Sequence, residues 1–407
     1  MNTPWHTDKW FTSPWNFSED VRSGLEFPDR IRFHDITLRD GEQQTGIALQ
    51  KDEKVRIAEM LAEAGVQRIE AGMPIVSPDD KAAIEEIVAL DLPAEIFCFA
   101  RCMIDDVDRA ADTGADGVVI EIPSSEHLLE HAYGWPLEKA IDLSISDTKH
   151  AQERGLYTVF FPIDASRSDL TWVLDLITKV ATEGHMDALA VVDTFGGMNP
   201  HAITHLVKAC KQRVGDKPVE THFHDDFGMA VANTILGLAA GAEVAHVTVT
   251  SVGERAGNAA LEDVAIALLT MYDVDTEIRY EKLYELSCHV REVTGLQVPS
   301  NRPIVGDGVF KIESGIVAAW MRNCRPDHLL ELFPFLPELV GQPEPVILLG
   351  KGSGMDSLQE WLENTGLEVA EGQMMELLLA VKAKAIAKKD LLTEDEFRAL
   401  VEDLAAG

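Results

Sequence analysis

The sequence predicts an α/β fold, a closed (β/α)8 TIM barrel followed by a mainly helical C-terminal subdomain, on three observations. Short apolar runs rich in β-branched and aromatic residues alternate with longer helical patterns from about residue 30 to 272. Roughly eight such β-then-α units in about 245 residues is the size of one barrel. The first strand runs into TLRDGEQQTG, not into the G-x-G-x-x-G turn of a doubly wound dinucleotide-binding sheet, the structural rival.

The strands expected, in order, are RIRFHDI near 30–36, VQRIEA near 66–71, EIFCFA near 95–100, GVVIEI near 117–122, YTVFF near 157–161, DALAVV near 187–192, VETHFH near 219–224 and EVAHVTV near 243–249. Between the first two, KDEKVRIAEMLAEAG puts Val55, Ile57, Leu61 and Ala64 on roughly one helical face. Gly65, Gly114, Gly155, Gly184 and Gly241 each precede a strand, where a helix C-cap belongs. The chain thus divides into an aromatic N-terminal extension at 1–29, the barrel at 30–272, a linker or small subdomain at 273–345 and a helical subdomain at 346–407. Trp5, Trp10, Trp15, Phe11, Phe17 and Phe27 make a solvated tail an unattractive reading of the extension; packing on the barrel or on a second subunit is expected. VPSNRPIVGDG marks the linker, and Thr393 in TEDEF is the expected N-cap of the last helix.

Thirty-five basic against 69 acidic residues give a net charge of −34, which disfavours nucleic acid and anionic membrane surfaces as partners. The acidic excess reads as solvated helix faces. No run of about 18 apolar residues occurs, and MNTPWHTDKW lacks the basic-then-apolar pattern of a leader. The five cysteines form no C-x-x-C pair and read as small core residues in a reducing compartment, so a cytoplasmic protein is expected.

The chemistry starts from HFH. His222 and His224, two apart on a strand, point to one side, into the barrel at the C-terminal mouth where barrel sites lie. Two imidazoles aimed into one cavity suit a divalent cation, although an H-x-H pair alone is more often a pair of hydrogen-bonded structural histidines. Asp40 lies just past the first strand, and barrel closure carries it toward the seventh. Arg39 offers a fixed cation for a developing oxyanion; the alternative for an isolated Arg-Asp is a surface pair in a turn. Asn258 in SVGERAGNAALED adds a neutral oxygen, while Glu254 and Arg255 also fit an ordinary ion pair. GKGSG at 350–354 is not a phosphate-binding P-loop. His34, His127 and His131 stand near strand ends, either against substrate or as structural histidines.

TLRDGEQ, HFHDDFGMAVANT and GERAGNAALED together resemble the DRE-TIM metallolyase superfamily, and within it the Claisen-condensing branch of isopropylmalate, homocitrate and citramalate synthases. The resemblance covers the barrel and, more loosely, the C-terminal region through VGDGVFKIESGI and LGKGSG. It implies an acyl-CoA:2-oxo acid C-acyltransferase, with acyl-CoA as co-substrate, a divalent cation (Mn2+, Mg2+, Co2+ or Zn2+) and a homodimer. By that resemblance Asp40, His222, His224 and Asn258 hold the metal. Arg39 contacts the keto oxygen and enolate with Gln43 nearby, Thr194 in VVDTFG binds the oxo-acid carboxylate, and Arg101 faces the mouth. Glu70 of IEAGMPIVSP and Asp164 join Arg39 as candidate catalytic groups. In the implied reaction a thioester α-proton is removed, the enolate attacks the oxo acid and water hydrolyses the CoA thioester. The GERAGN loop is similar to that of the synthases. The lyase of the superfamily carries a cysteine there, and none of the five cysteines lies in this loop.

The chain departs from the synthase pattern at identifiable positions. Ile163 occupies the usual glutamate position, with Asp164 beside it; Val159 and Phe161 replace the arginine and serine of homocitrate-type enzymes; Ile312, Val317 and Gly352 stand where C-terminal histidines are expected. An apolar Val159/Phe161 wall favours a small or apolar oxo acid over 2-oxoglutarate, whose second carboxylate would be buried unpaired. Arg101, Arg167 or Lys311 can supply a local positive spot for CoA. Two alternatives stay open: a retro-aldol or retro-Claisen lyase acting on a 2-hydroxy or 2-oxo acid, and a barrel retired from catalysis that serves as a binding subunit. The chain leaves no room for a ligand-sensing domain, so no inhibition by leucine is expected.

Overall fold

Each of the eight apolar runs forms a parallel strand, and β1 to β8 close in sequence order into one barrel. They are β1 (Arg32–Asp35), β2 (Arg68–Gly72), β3 (Glu95–Arg101), β4 (Gly117–Pro123), β5 (Tyr157–Ile163), β6 (Ala188–Asp193), β7 (Val219–Phe223) and β8 (Val244–Val247). The computed structural model describes residues 3–406. It divides into two units, one from Trp15 to Gln297 and one joining the chain up to Pro14 with Val298 onward.

In the first unit, inward residues of β3 to β6 interdigitate: Phe97, Phe99, Val119, Val159, Phe161, Ala188, Ala190 and Val192 fill the barrel. Closure pairs β1 with β8 so that His34 stands beside His246. The helix Lys51–Glu63 buries Ile57, Ala58 and Leu61 against the strands. Lys54 is also buried, taking the place expected for Val55, because Glu42 and Asp80 neutralise its ammonium. Gly155 takes φ +81° at a helix end, as a left-handed cap requires, whereas Gly184 closes its helix at φ −96°. The sequence ended the barrel at residue 272, but this unit runs on to Gln297. The helix Leu283–Thr294 belongs to it, and a buried Ser287–Thr250 hydroxyl pair at 2.7 Å ties that helix to the segment after β8.

In the second unit, β9 (Lys311–Ile312) pairs in parallel with β10 (Val346–Ile347), so the boundary expected at 345/346 cuts through a two-stranded sheet. Helices Met355–Thr365, Met374–Lys388 and Glu394–Ala406 pack around Leu349, Leu358, Leu377, Val381 and Phe397. Thr393 and Glu396 exchange bonds across the first turn of the last helix, a capping box. The N-terminal aromatics split between the units rather than covering the barrel together. Trp10 bridges to Phe335 and the Phe11 amide donates to Pro334, while Phe27 stands edge-on to Tyr272 in the barrel unit and Trp15 is exposed.

Candidate metal centre at the barrel mouth

After β1 the amides of Arg39, Asp40 and Gly41 all return to the Ile36 carbonyl, at 3.2, 2.9 and 3.1 Å, folding the chain back over the barrel. Gly41 has to be small, since a Cβ there would stand 2.7 Å from Val252 Cγ2. The turn sets Asp40 opposite the end of β7. His222 is inside that strand, and His224 lies one residue past it, held by a bridge to Asn258 in the loop after β8. Four residues from three distant segments thereby meet.

The donor atoms form a tight triangle. His222 Nε2 and His224 Nε2 are 3.4 Å apart, and Asp40 Oδ2 is 3.6 and 3.9 Å from them. A point equidistant from all three lies about 2.1 Å from each, the bond length of nitrogen and oxygen ligands to a first-row divalent cation. Asn258 donates its amide to Asp40 Oδ1 at 2.8 Å, and its buried Oδ1 has no hydrogen-bond partner among the described residues. Burial pushes the imidazoles of His222 and His224 below their usual range, which leaves both neutral and able to donate a lone pair. Within the buried layer the three carboxylates of Asp40, Glu70 and Glu220 outnumber the two guanidinium groups paired with them, those of Arg39 and Arg68, a net negative charge that a cation would offset. The donor set, the orphaned amide oxygen and the charge balance all fit a divalent metal.

Arg39 lines the same mouth. Its Nε donates to Glu70, its Nη1 to Asp40 at 2.8 Å and to Gln43 at 3.3 Å, and its Nη2 is a buried donor without a partner among the described residues. Burial pushes the Glu70 carboxyl up, but Arg39 and His34 outweigh it and hold it at about 2. Glu70 is thus an ionised clamp for Arg39 and a poor proton acceptor. Phe161 meets His222 edge-on at 4.7 Å, whereas Val159, one layer deeper, is fully buried in the core.

Two expected site residues are engaged elsewhere. The buried Asp164 carboxylate accepts from Ser125 at 2.5 Å and from Arg167 at 2.6 and 2.9 Å, with His127 at 3.0 Å. That saturation withdraws it from the base role expected of it and makes it the anchor of the loop after β5. Arg101 is locked in a two-pronged pair with Asp106 at 2.7 and 3.0 Å. Thr194 accepts from the Asp164 amide at 2.8 Å, which leaves its hydroxyl hydrogen to donate.

The sequence reading passed over Glu121, Glu220 and His246. Glu121 lies in the C-terminal half of β4, where burial raises its carboxyl while Arg39 and Arg101 pull the other way. Among the described residues no hydrogen bond or ion pair engages that carboxylate. It borders a cavity of about 230 Å³ with Arg101, Tyr133 and Trp135. Glu220 and His246, with His34, form a second buried cluster beneath the first. Strand alternation was the available signal, since Glu220 sits two before His222 and shares its face.

The HMGL-like family model matches residues 30–290, the barrel and its mouth. The homocitrate synthase AksA of Methanothermobacter thermautotrophicus is 35% identical over 97% of this chain and 98% of its own. The 2-isopropylmalate synthase of Methanocaldococcus jannaschii is 37% identical over 95% of this chain and 74% of its own. Among solved structures, the hydroxymethylglutaryl-CoA lyase of Pseudomonas aeruginosa superposes with a TM-score of 0.61 at 20% identity, covering 70% of this chain and 98% of that one, a likeness of fold. Barrel, motifs and matched residues coincide, and the chain belongs to the HMGL-like family of DRE-TIM barrel enzymes.

Proposed function

We propose that this enzyme condenses an acyl-CoA with a 2-oxo acid at the barrel mouth, using a divalent cation held by Asp40, His222, His224 and Asn258. The observation that carries the reading is the triangle of His222, His224 and Asp40 atoms beside the unpartnered Nη2 of Arg39. The two synthases named above support condensation over cleavage. Bound there, the cation supplies Lewis-acid polarisation of the oxo-acid carbonyl.

The chain's own residues do the rest. Arg39, fixed by Glu70, aims a guanidinium donor at developing oxyanion charge. The Thr194 hydroxyl orients the oxo-acid carboxylate. Glu121, with its raised affinity for a proton and its free carboxylate, takes the thioester α-proton. The enolate carbon attacks the carbonyl carbon, the proton taken by Glu121 passes to the new alkoxide, and water then displaces the CoA thiol, leaving a hydroxy-diacid. A cavity of about 410 Å³ shares Arg39 and Gln43 and is walled by Leu49, Met73 and Val76, which gives room for the acyl arm. Phe161 keeps the oxo-acid side-chain pocket apolar.

The mixed donor set suits Mn2+, Mg2+, Co2+ or Zn2+. Five unpaired cysteines support a reducing, cytoplasmic setting, and no helix among the described residues is long and apolar enough to cross a membrane. Met375, Leu379 and Ile386, exposed on one helix, support a homodimer. The test is acetyl-CoA with a panel of 2-oxo acids under a divalent-metal series, following free thiol and hydroxy-diacid together. The expected result is equal yields of both. Thiol without hydroxy-diacid makes the protein a thioesterase, and CoA-independent cleavage of a 2-hydroxy acid makes it a lyase.

A further inference from the structure

We propose that Glu220 and His246 are positioning residues that preset the proton on His222 so that its Nε2 is free for the cation. The inference rests on the metal reading above and extends it one shell inward. The three side chains form a buried chain of contacts. His222 Nδ1 lies 3.3 Å from His246 Nδ1, His246 Nε2 lies 2.7 Å from Glu220 Oε2, and Glu220 Oε1 accepts from Arg68 at 2.7 Å. His246 and Glu220 are effectively inaccessible to water, so no solvent can substitute for these partners.

With one proton on each imidazole, a single arrangement satisfies both links of His246. A carboxylate accepts only, and Glu220 is held as a carboxylate by its 2.7 Å ion pair with the buried Arg68 guanidinium. His246 therefore carries its proton on Nε2 and turns a lone pair on Nδ1 toward His222. That lone pair requires a proton on His222 Nδ1, and a neutral ring then has its other lone pair on Nε2, the atom facing His224 and Asp40. Were His246 to carry its proton on Nδ1, His222 would hold its own on Nε2, and the ligand atom would be blocked. Arg68 fixes Glu220, Glu220 fixes His246, and His246 fixes His222.

The same geometry argues against reading His34, Glu220 and His246 as a second cation site. His246 Nε2 and Glu220 Oε2 already share a proton, and the other Glu220 oxygen is committed to Arg68.

The test is equilibrium Mn2+ binding to the full-length protein, wild type beside His246→Phe and His246→Asn. Phenylalanine fills the same volume without an acceptor, and affinity should fall about 10- to 100-fold. Asparagine places an oxygen near the Nδ1 position, and most of the affinity should return. Unchanged binding by His246→Phe, or equal loss in both variants, would overturn the relay. A second readout needs no variant: ring-nitrogen NMR of cation-free wild type should show His222 protonated on Nδ1 and His246 on Nε2, and an Nε2 proton on His222 would overturn it too. If the wild type binds no Mn2+, or if Asp40→Asn binds as tightly, the metal reading itself fails, an outcome separate from failure of the relay.

Discussion

Glu70 grips Arg39 through Nε inside the barrel, which stacks the guanidinium 4.0 Å from the centre of the Phe99 ring and leaves Nη2 pointing free. A donor held by a salt bridge, a ring face and burial loses little entropy when it meets an oxyanion.

Arg39→Lys should therefore fold and keep a positive charge yet lose the fork. Its ammonium cannot bond Glu70 and the substrate in the same fixed plane. We expect kcat to fall about 10²- to 10³-fold with a much smaller change in KM. Steady-state kinetics on Mn2+-loaded enzyme checks this, and a drop confined to KM would make Arg39 a binding residue only.

In the proposed reaction Glu121 acts as the base. Its proton affinity is raised by burial, so the wild-type rate should fall as pH drops toward the range where Glu121 protonates, above the ordinary carboxylate value. Glu121→Gln should cut kcat about 10²- to 10⁴-fold and abolish that acidic limb. A pH profile of kcat in which the limb survives in Glu121→Gln assigns the base elsewhere.

The fold was legible because alternation and helix period repeat eight times, so small errors at strand ends cost nothing. The convergence of Asp40, His222 and His224 was legible for a related reason: the residues sit at strand ends, and closure of a barrel is a strong geometric constraint. What stayed hidden depended on side-chain partners. Asp164 looks like a free carboxylate in FFPIDASRSD, and only folding brings Ser125 and His127 to it from the β4 loop. Glu121 reads as one acid among many until burial beside Arg39 distinguishes it. Val159 and Phe161 share a strand face, but depth in the barrel, which the sequence does not encode locally, separates a core residue from a site wall. The unit boundary was missed because a helix after the eighth strand carries no mark of which surface it packs on.

Asp35, at the end of β1, is buried with Oδ1 accepting from the Thr37 amide and Oδ2 without a partner. Burial pushes its carboxyl up from 3.8 to about 7. The folded state therefore holds a proton that the unfolded chain releases between those values, and this group's contribution to stability falls as pH rises from about 4 to 7. Asparagine keeps the Thr37 contact and does not ionise. Asp35→Asn should be more stable than wild type by roughly 2–4 kcal/mol at pH 8 and nearly equal to it at pH 4. Urea denaturation at the two pH values measures the difference. An equal difference at both would mean that ionisation of Asp35 is not its source.

Phe161 stands edge-on to His222 and packs on Phe99 at 5.7 Å, so on the β5 side the candidate cation site meets an apolar ring with no donor for an anion. A 2-oxo acid with a methyl or branched alkyl group can lie there without losing a solvated charge. 2-Oxoglutarate would bring its second carboxylate against two aromatic rings, at a cost of several kcal/mol, and each 1.4 kcal/mol is about tenfold in rate. We expect kcat/KM for pyruvate or 2-oxoisovalerate to exceed that for 2-oxoglutarate by at least about 10²-fold. Phe161→Ser opens the wall and adds a hydroxyl donor, and it should narrow the ratio at least about tenfold, chiefly by raising the 2-oxoglutarate value. Competition kinetics with paired substrates reads the ratio directly. If wild type prefers 2-oxoglutarate, or the serine variant leaves the ratio unmoved, the oxo-acid side chain points away from β5, and the strand ends around Glu121 become its pocket.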